Sequence, residues 1–237
     1  SNTNTLIYDP NNNLTDQTTA DTHNDEKWKN FSGNINFRTK LDSAGQELTT
    51  DLDFIQYKAT SFQPLTSTYY DNSGNQLKAP EVLNGTLPTN IKIYSGKIDY
   101  TLPLKKDAKF EAGFKTSFVT NDNNARYDSV KSGFNVLDSG RSNHFIYDEN
   151  INAAYVNYSR PLGKKWSAQI GVRVENTNSN GISKGYVYNA SLDKFEYTET
   201  RFKRNYTQLF PTAYIQYTAN EKNQFVLNYG RRIERPD

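Results

Sequence analysis

In the run Trp166-Ser-Ala-Gln-Ile-Gly-Val-Arg-Val-Glu-Asn176, Trp166, Ala168, Ile170, Val172 and Val174 alternate with Ser167, Gln169, Gly171, Arg173 and Glu175. A period of two places successive side chains on opposite faces of a strand. One face of this segment is therefore apolar and the other polar and charged. The pattern recurs upstream, where Phe110, Ala112, Phe114 and Phe118 stand against Glu111, Lys115 and Ser117. Phe31, Ile35, Phe37 and Leu41 stand against Asn34, Asn36, Arg38 and Lys40, and Leu48, Leu52 and Phe54 against Glu47, Asp51 and Asp53. Tyr94, Ile98, Tyr100 and Leu102 oppose Lys97 and Asp99, and Phe225, Leu227 and Tyr229 oppose Asn228. Residues 145–160 disagree about their apolar side, which predicts a bulge there. No amphipathic helix emerges.

The periodicity predicts about eight strands, near 28–41, 46–59, 91–102, 108–120, 145–160, 166–177, 205–217 and 224–233. Their connections alternate in length. Asp42–Gly45, Pro103–Asp107, Pro161–Lys165 and Thr218–Asn223 read as tight turns. The stretches near 60–90, 121–144 and 178–204 read as long polar loops rich in Asn, Ser, Gly, Tyr and Thr. Residues 1–27 are polar, carry no apolar period and read as part of another such loop. At about twelve residues, the strands exceed the roughly five to six typical of globular sheets and suffice for the roughly 9–11 of a tilted transmembrane strand. Tyr100, Phe110, Tyr158, Trp166, Tyr217 and Phe225 fall beside the short turns, where rings at one end of successive strands suit a membrane interface.

Composition is compatible with that reading. The 237 residues are 35% hydrophobic, 14% aromatic and 23% charged, with a mean hydropathy of −0.86. No window approaches the roughly 18 consecutive apolar residues of a spanning helix, whereas a barrel strand needs an apolar residue only at every second position. With 28 basic against 26 acidic residues and a net charge of +2, the chain carries no nucleic-acid footprint. It has no Cys, which excludes disulfides, thiol catalysis and iron–sulfur clusters. The absence of Met, even at position 1, and of a signal peptide reads as a piece of a longer envelope protein.

Several runs resemble the barrel portion of TonB-dependent receptors, with the nearest likeness to the Bacteroidetes-type outer-membrane β-barrel family. They are Asn143-His-Phe-Ile-Tyr-Asp-Glu-Asn-Ile-Asn-Ala-Ala-Tyr-Val-Asn-Tyr158, Gln169-Ile-Gly-Val-Arg-Val-Glu-Asn-Thr177, Tyr206-Thr-Gln-Leu-Phe-Pro-Thr-Ala213 and Asn228-Tyr-Gly-Arg-Arg-Ile-Glu-Arg-Pro236. Asp99-Tyr-Thr-Leu-Pro103 and Phe110-Glu-Ala-Gly-Phe-Lys115 look like the same family's turn and following strand. The likeness covers most of 28–237. It implies an all-β antiparallel up-and-down meander forming part of a transmembrane barrel in a Gram-negative outer membrane. It also implies partners: membrane lipid, the rest of the barrel and its plug, TonB, and a glycan, siderophore or other nutrient. By this reading residues 28–237 are a partial barrel domain, lacking plug and C-terminal strands.

If the apolar faces meet lipid, Arg38, Asp51, Asp53, Lys97, Asp99, Lys115, Arg173 and Glu175 face the lumen. They then serve either as a channel or plug-contacting wall, or simply as cross-strand pairs that keep the wall hydrated. Tyr69, Tyr70, Tyr186, Tyr188 and Tyr197 lie in the long loops, where rings beside amides suit capture of an amphipathic ligand. No cofactor site, metal set or catalytic constellation is found. His23 and His144, the two histidines, are far apart, and zinc wants three or four convergent ligands. Two other architectures remain open: a soluble or surface-exposed β-rich binding module, and an eight-stranded barrel closed on itself.

Overall fold

The computed structural model describes residues 2–233. The Glu234–Asp237 end of the last motif and Ser1 lie outside the described residues. The chain is one antiparallel sheet of eleven strands: β1 (Asn2–Tyr8), β2 (Leu14–Thr22), β3 (Asp25–Lys40), β4 (Glu47–Asp71), β5 (Glu81–Pro103), β6 (Lys109–Lys131), β7 (Phe134–Leu137), β8 (Asn143–Leu162), β9 (Trp166–Asn189), β10 (Lys194–Asn220) and β11 (Asn223–Gly230). Neighbours in sequence pair in space, so the sheet is a meander. β2 and β3 pair with the two halves of β4 in one unbroken register and form a single wall strand interrupted at His23 and Asn24. β7 folds back on the end of β6.

All eight expected strands are present, as β3–β6 and β8–β11. The short turns fall at one end of the sheet. At one of them Gly163, with φ of 78°, adopts the left-handed backbone that a side chain would oppose. The other end departs from expectation. The stretches expected to loop are mostly strand: β4, β5, β6, β9 and β10 run for 23 to 27 residues, leaving connections of only 72–80, 132–142 and 190–193. Residues 2–22 likewise form a hairpin, β1 and β2. The reason is that both faces of these extensions carry polar residues, so the apolar alternation that signals a strand disappears while Thr and Tyr still favour extended backbone.

The expected bulge in β8 is absent: its pairing with β6 and β9 runs without a register shift. Instead the apolar side of β8 changes with height. Near the short turns Ala154, Val156 and Tyr158 lie on the apolar face of the sheet, whereas farther up Phe145, Tyr147 and Ile151 lie on the opposite face.

The sheet has no conventional core among the described residues. Large apolar side chains on one face stand open: Phe31 is 64% exposed, Ile35 68%, Ile170 62% and Leu227 73%. Apart from glycines, the buried positions are Ala153, Glu175, Thr177, Ser179 and Phe210 on the other face, plus Ala108 in a turn. A second packed layer, as in a soluble sandwich, would cover the apolar face, since each large side chain left in water forfeits roughly 1.5–3 kcal/mol.

The apolar band also reports strand tilt. The band ends at Phe31 on β3, Phe54 on β4, Tyr94 on β5, Phe118 on β6, Ala154 on β8, Val174 on β9 and Leu209 on β10, above each of which the next two residues on that face are polar. The hydrogen-bonded row starting at Phe31 passes through Gln56, Lys92, Thr120, Asp148 and Asn180 to Lys203, six residues above Leu209. Six strand steps thus shift the band by six residues. One residue of ~3.3 Å per strand spacing of ~4.8 Å gives a tilt of about 35°, the geometry barrels use.

Candidate functional site

Antiparallel register assembles the polar face row by row, because directly opposed residues point to the same side. One row reads Arg38, Thr49, Asp99, Gly113, Tyr155, Arg173, Phe210. The next reads Asn36, Asp51, Lys97, Lys115, Ala153, Glu175, Gln208, and the one above contains Asn34, Asp53, Ser95, Ser117, Ile151, Thr177 and Tyr206. All eight charged residues singled out in the sequence therefore lie in three adjacent rows of one face. They number four cations and four carboxylates, so the patch is neutral by compensation.

Each carboxylate has donors. Asn36 donates to Asp51 at 2.5 Å, Asn34 and Ser95 donate to Asp53 at 2.6 and 2.8 Å, and Lys97 pairs with Asp99. Arg173 pairs with Glu175, which is 4% exposed. Arg38 reaches Glu47 at 2.7 Å. Lys115 sits directly opposite Lys97, a like-charge pair that the flanking aspartates offset.

Sequence reasoning missed the ring that ties these strands together. Tyr155 lies across Gly113 and donates its hydroxyl to Asp99, three strands' width of contact from one side chain. A Cβ on Gly113 would come within 2.5 Å of the Tyr155 Cζ. Higher up, Phe202 covers Gly181 in the same way and approaches Tyr147 at 6.3 Å between ring centroids. Glycine at polar-face positions was the only signal, and it points to a ring only once register is known.

Beside this patch, an open cleft of about 1260 Å³ spans β8 to β11. Tyr155, Arg173, Glu175, Phe210, Tyr214 and Arg231 line it, and the Arg231 guanidinium lies 5.9 Å from the Phe210 ring centroid. Guanidinium groups among rings suit a planar or anionic group. Among the described residues no group of three His, Asp or Glu converges on a metal position.

The apolar face carries the six rings near the short turns: Tyr100, Phe110, Tyr158, Trp166, Tyr217 and Phe225 all share it. The Trp166 and Tyr217 rings meet at a tilt with 4.6 Å between centroids, and Tyr100 donates to Gln46 at 2.7 Å. The five tyrosines expected in loops sit instead at strand ends, and register divides them. Tyr69 is on the polar side, bonded to Glu81 at 2.9 Å with the Lys78 ammonium 4.0 Å from its ring. Tyr70, Tyr186, Tyr188 and Tyr197 are on the other side. Tyr186 meets Tyr197 edge-on at 5.7 Å and Tyr188 meets Phe195 at 5.4 Å, so much of their ring surface is spent within one hairpin.

Residues 39–237 match the family model described as the outer membrane protein beta-barrel family. The chain belongs to this family. An outer membrane β-barrel protein is a protein of the Gram-negative outer membrane, and its antiparallel meander is the wall of such a barrel. No curated protein matches this family member in sequence. Among solved structures, it is similar to the ferric yersiniabactin uptake receptor FyuA from Yersinia pestis, at 13% identity and a TM-score of 0.44, over 93% of this chain and 39% of that one. It is similar to the ferric-catecholate import receptor Fiu from E. coli at 9% identity and 0.47, over 97% and 47%. For the siderophore receptor PiuA from Acinetobacter baumannii the values are 10% and 0.40, over 93% and 45%. The barrel segment thus spans less than half the length of these receptors.

Proposed function

We propose that this barrel wall belongs to a TonB-dependent receptor for energised nutrient uptake, with the apolar face toward lipid and the polar face toward the lumen. The observation that carries the reading is segregation. Every one of the eight charged positions shares a face, while the opposite face leaves Ile35, Ile170 and Leu227 open in a tilted band. The motif resemblance at 143–158, 169–177 and 206–213 supports the receptor class. In this role the six rings anchor the short-turn end at the periplasmic interface, and the strand extensions stand outside the cell.

The compensated patch favours one of the two roles open for the lumenal charges. Four cations against four carboxylates make no net field to select an ion, so the wall serves as a hydrated, hydrogen-bonding lining for an inserted domain. Ligand capture falls to the extracellular ends, where Tyr69 faces the lumen, with a siderophore, glycan or similar amphipathic nutrient as the cargo class.

Orientation is tested by single cysteines in a chain that has none. In intact cells a membrane-impermeant maleimide is expected to label Ser73→Cys and Leu192→Cys, and to leave Lys164→Cys and Lys222→Cys unlabelled until the outer membrane is opened. The reverse pattern overturns the assignment. For the receptor class, uptake of a ferric siderophore or oligosaccharide by cells carrying the parent protein is expected to cease with a protonophore, and uptake that survives de-energisation overturns it.

A further inference from the structure

Charge on this sheet is managed by a local rule. Lys97 pairs with Asp99, Lys109 with Glu111, Arg126 with Asp128, Arg173 with Glu175, Lys194 with Glu196 and Arg201 with Glu199. In all six the partners are two residues apart on one strand and hence on one face. Lys27, Lys29, Lys58 and Lys92 break the rule. Register puts all four on the apolar side of the sheet, in the two tiers immediately above Phe31, Phe54 and Tyr94. Lys29 stands directly opposite Lys58, an arrangement that is destabilising unless an anion is present. Lys92 is diagonal to Lys58, so three adjacent strands present ammonium groups to the same small area.

None of these four makes an ion pair or hydrogen bond among the described residues. Asp25, the acid two residues from Lys27, is engaged by His23 at 3.1 Å. On β6 the corresponding tiers hold Thr120 and Asp122, the latter engaged by His144 at 2.7 Å, and on β8–β10 they hold amides, Asn150, Asn152, Asn176, Asn178 and Asn205, bonded in a pair and a trio. The cationic cluster is thus confined to one arc of the wall.

We propose that Lys27, Lys29, Lys58 and Lys92 form a binding site for the phosphate of an outer-leaflet lipid headgroup. The inference rests on the reading that the apolar face meets lipid. A tier just above the apolar band lies at headgroup depth, lysine stems can run along apolar surface with the ammonium at the interface, and clustered ammonium groups at a membrane surface attract anionic headgroups. The carboxylates this face offers nearby are already engaged, Asp25 by His23 and Asp122, diagonal to Lys92, by His144, and phosphate-bearing lipid supplies the further counter-anion.

The test uses the parent protein reconstituted in phosphatidylcholine vesicles containing one-tenth of a phosphate-monoester lipid, phosphatidic acid. Retained lipid is quantified after detergent extraction and exchange. Wild type is expected to retain phosphatidic acid, and K27Q/K29Q/K58Q/K92Q to retain at least tenfold less, with phosphatidylcholine unchanged. Lys115→Gln, on the polar face, is expected to behave as wild type. Equal retention by the quadruple variant overturns the site, as does displacement of the lipid by millimolar inorganic phosphate, which would mark a free-anion site. Quenching of Trp166 by brominated acyl chains, read as the part of the quenching that Trp166→Phe removes, separates the two readings. Quenching with equal retention discards the lysine site alone, whereas no quenching discards the lipid-facing assignment beneath it.

Discussion

Gly113 shows what a single missing Cβ does for this wall. Tyr155 crosses it to reach Asp99, and Asp99 also holds Lys97. Gly113→Val is expected to drive the ring off its seat and destabilise the barrel by about 1–3 kcal/mol, the usual penalty of overpacking, measured as a shift in urea midpoint in vesicles. Tyr155→Phe keeps the volume and removes one charge-assisted hydrogen bond, so a shift of about 1.5 kcal/mol is expected. Parity of Asp99 was legible in the sequence. Its partner was not, because Tyr155 is fifty-six residues away and only the pairing of β5, β6 and β8 brings them together.

A second residue-scale prediction concerns Asp9, in the turn between β1 and β2. The Asn13 amide and side chain, with Asn11, donate to its carboxylate at 2.8 to 3.1 Å. The Asn13 backbone bond is the main cause that holds its pKa below the ordinary aspartate value of 3.8. A depressed carboxylate stabilises the turn above the unfolded value, and that contribution is lost as pH falls through the lower folded value. Amide exchange at Asn11 and Asn13 is expected to be flat above pH 5 once corrected for intrinsic rates and to lose protection only below about pH 4. Protection lost near neutrality, with the carboxylate still ionised, contradicts the assignment.

At the scale of the strand, β9 carries the contrast most cleanly. Ile170 is mid-band on the apolar face and Gln169 is its neighbour on the polar face. Ile170→Lys is expected to cost about 2–4 kcal/mol, the depth-dependent price of a lipid-facing cation, whereas Gln169→Lys is expected to stay within about 0.5 kcal/mol. Equal effects at the two positions would mean that both faces see the same medium. The band itself was readable from Trp166 to Val174 because one face there is apolar. The continuation of β9 to Asn189 was hidden for the complementary reason: Asn176, Asn178 and Asn180 on one face are as polar as Thr177 and Ser179 on the other, although the latter two are buried, and a polar run on both faces looks like loop. The switch of apolar side along β8 has the same origin, since Phe145 and Tyr147 lie above the band and turn inward.

For the whole molecule, the drift of the band fixes the attitude of the strands in the membrane. Polarised infrared spectroscopy of oriented bilayers is expected to give a mean strand tilt of about 35°. A value near zero would break the link between register and membrane plane. At this tilt β9, with 24 residues, rises about 65 Å, roughly twice the ~30 Å hydrocarbon layer. The sheet therefore stands far out of the bilayer on the side of the longer connections. Its lateral edges, β1 and β3 on one side and β11 on the other, have one partner each among the described residues, and open edges seek strands.

The six ion pairs set two residues apart have a bearing on how such a wall is built. Each keeps a cation and its carboxylate on the same strand, so a strand carries its own counter-charge before any neighbour arrives. A barrel assembled hairpin by hairpin at the membrane then adds units that are already electrically settled, and the order of addition is free of the penalty that cross-strand pairs would impose on every half-finished intermediate.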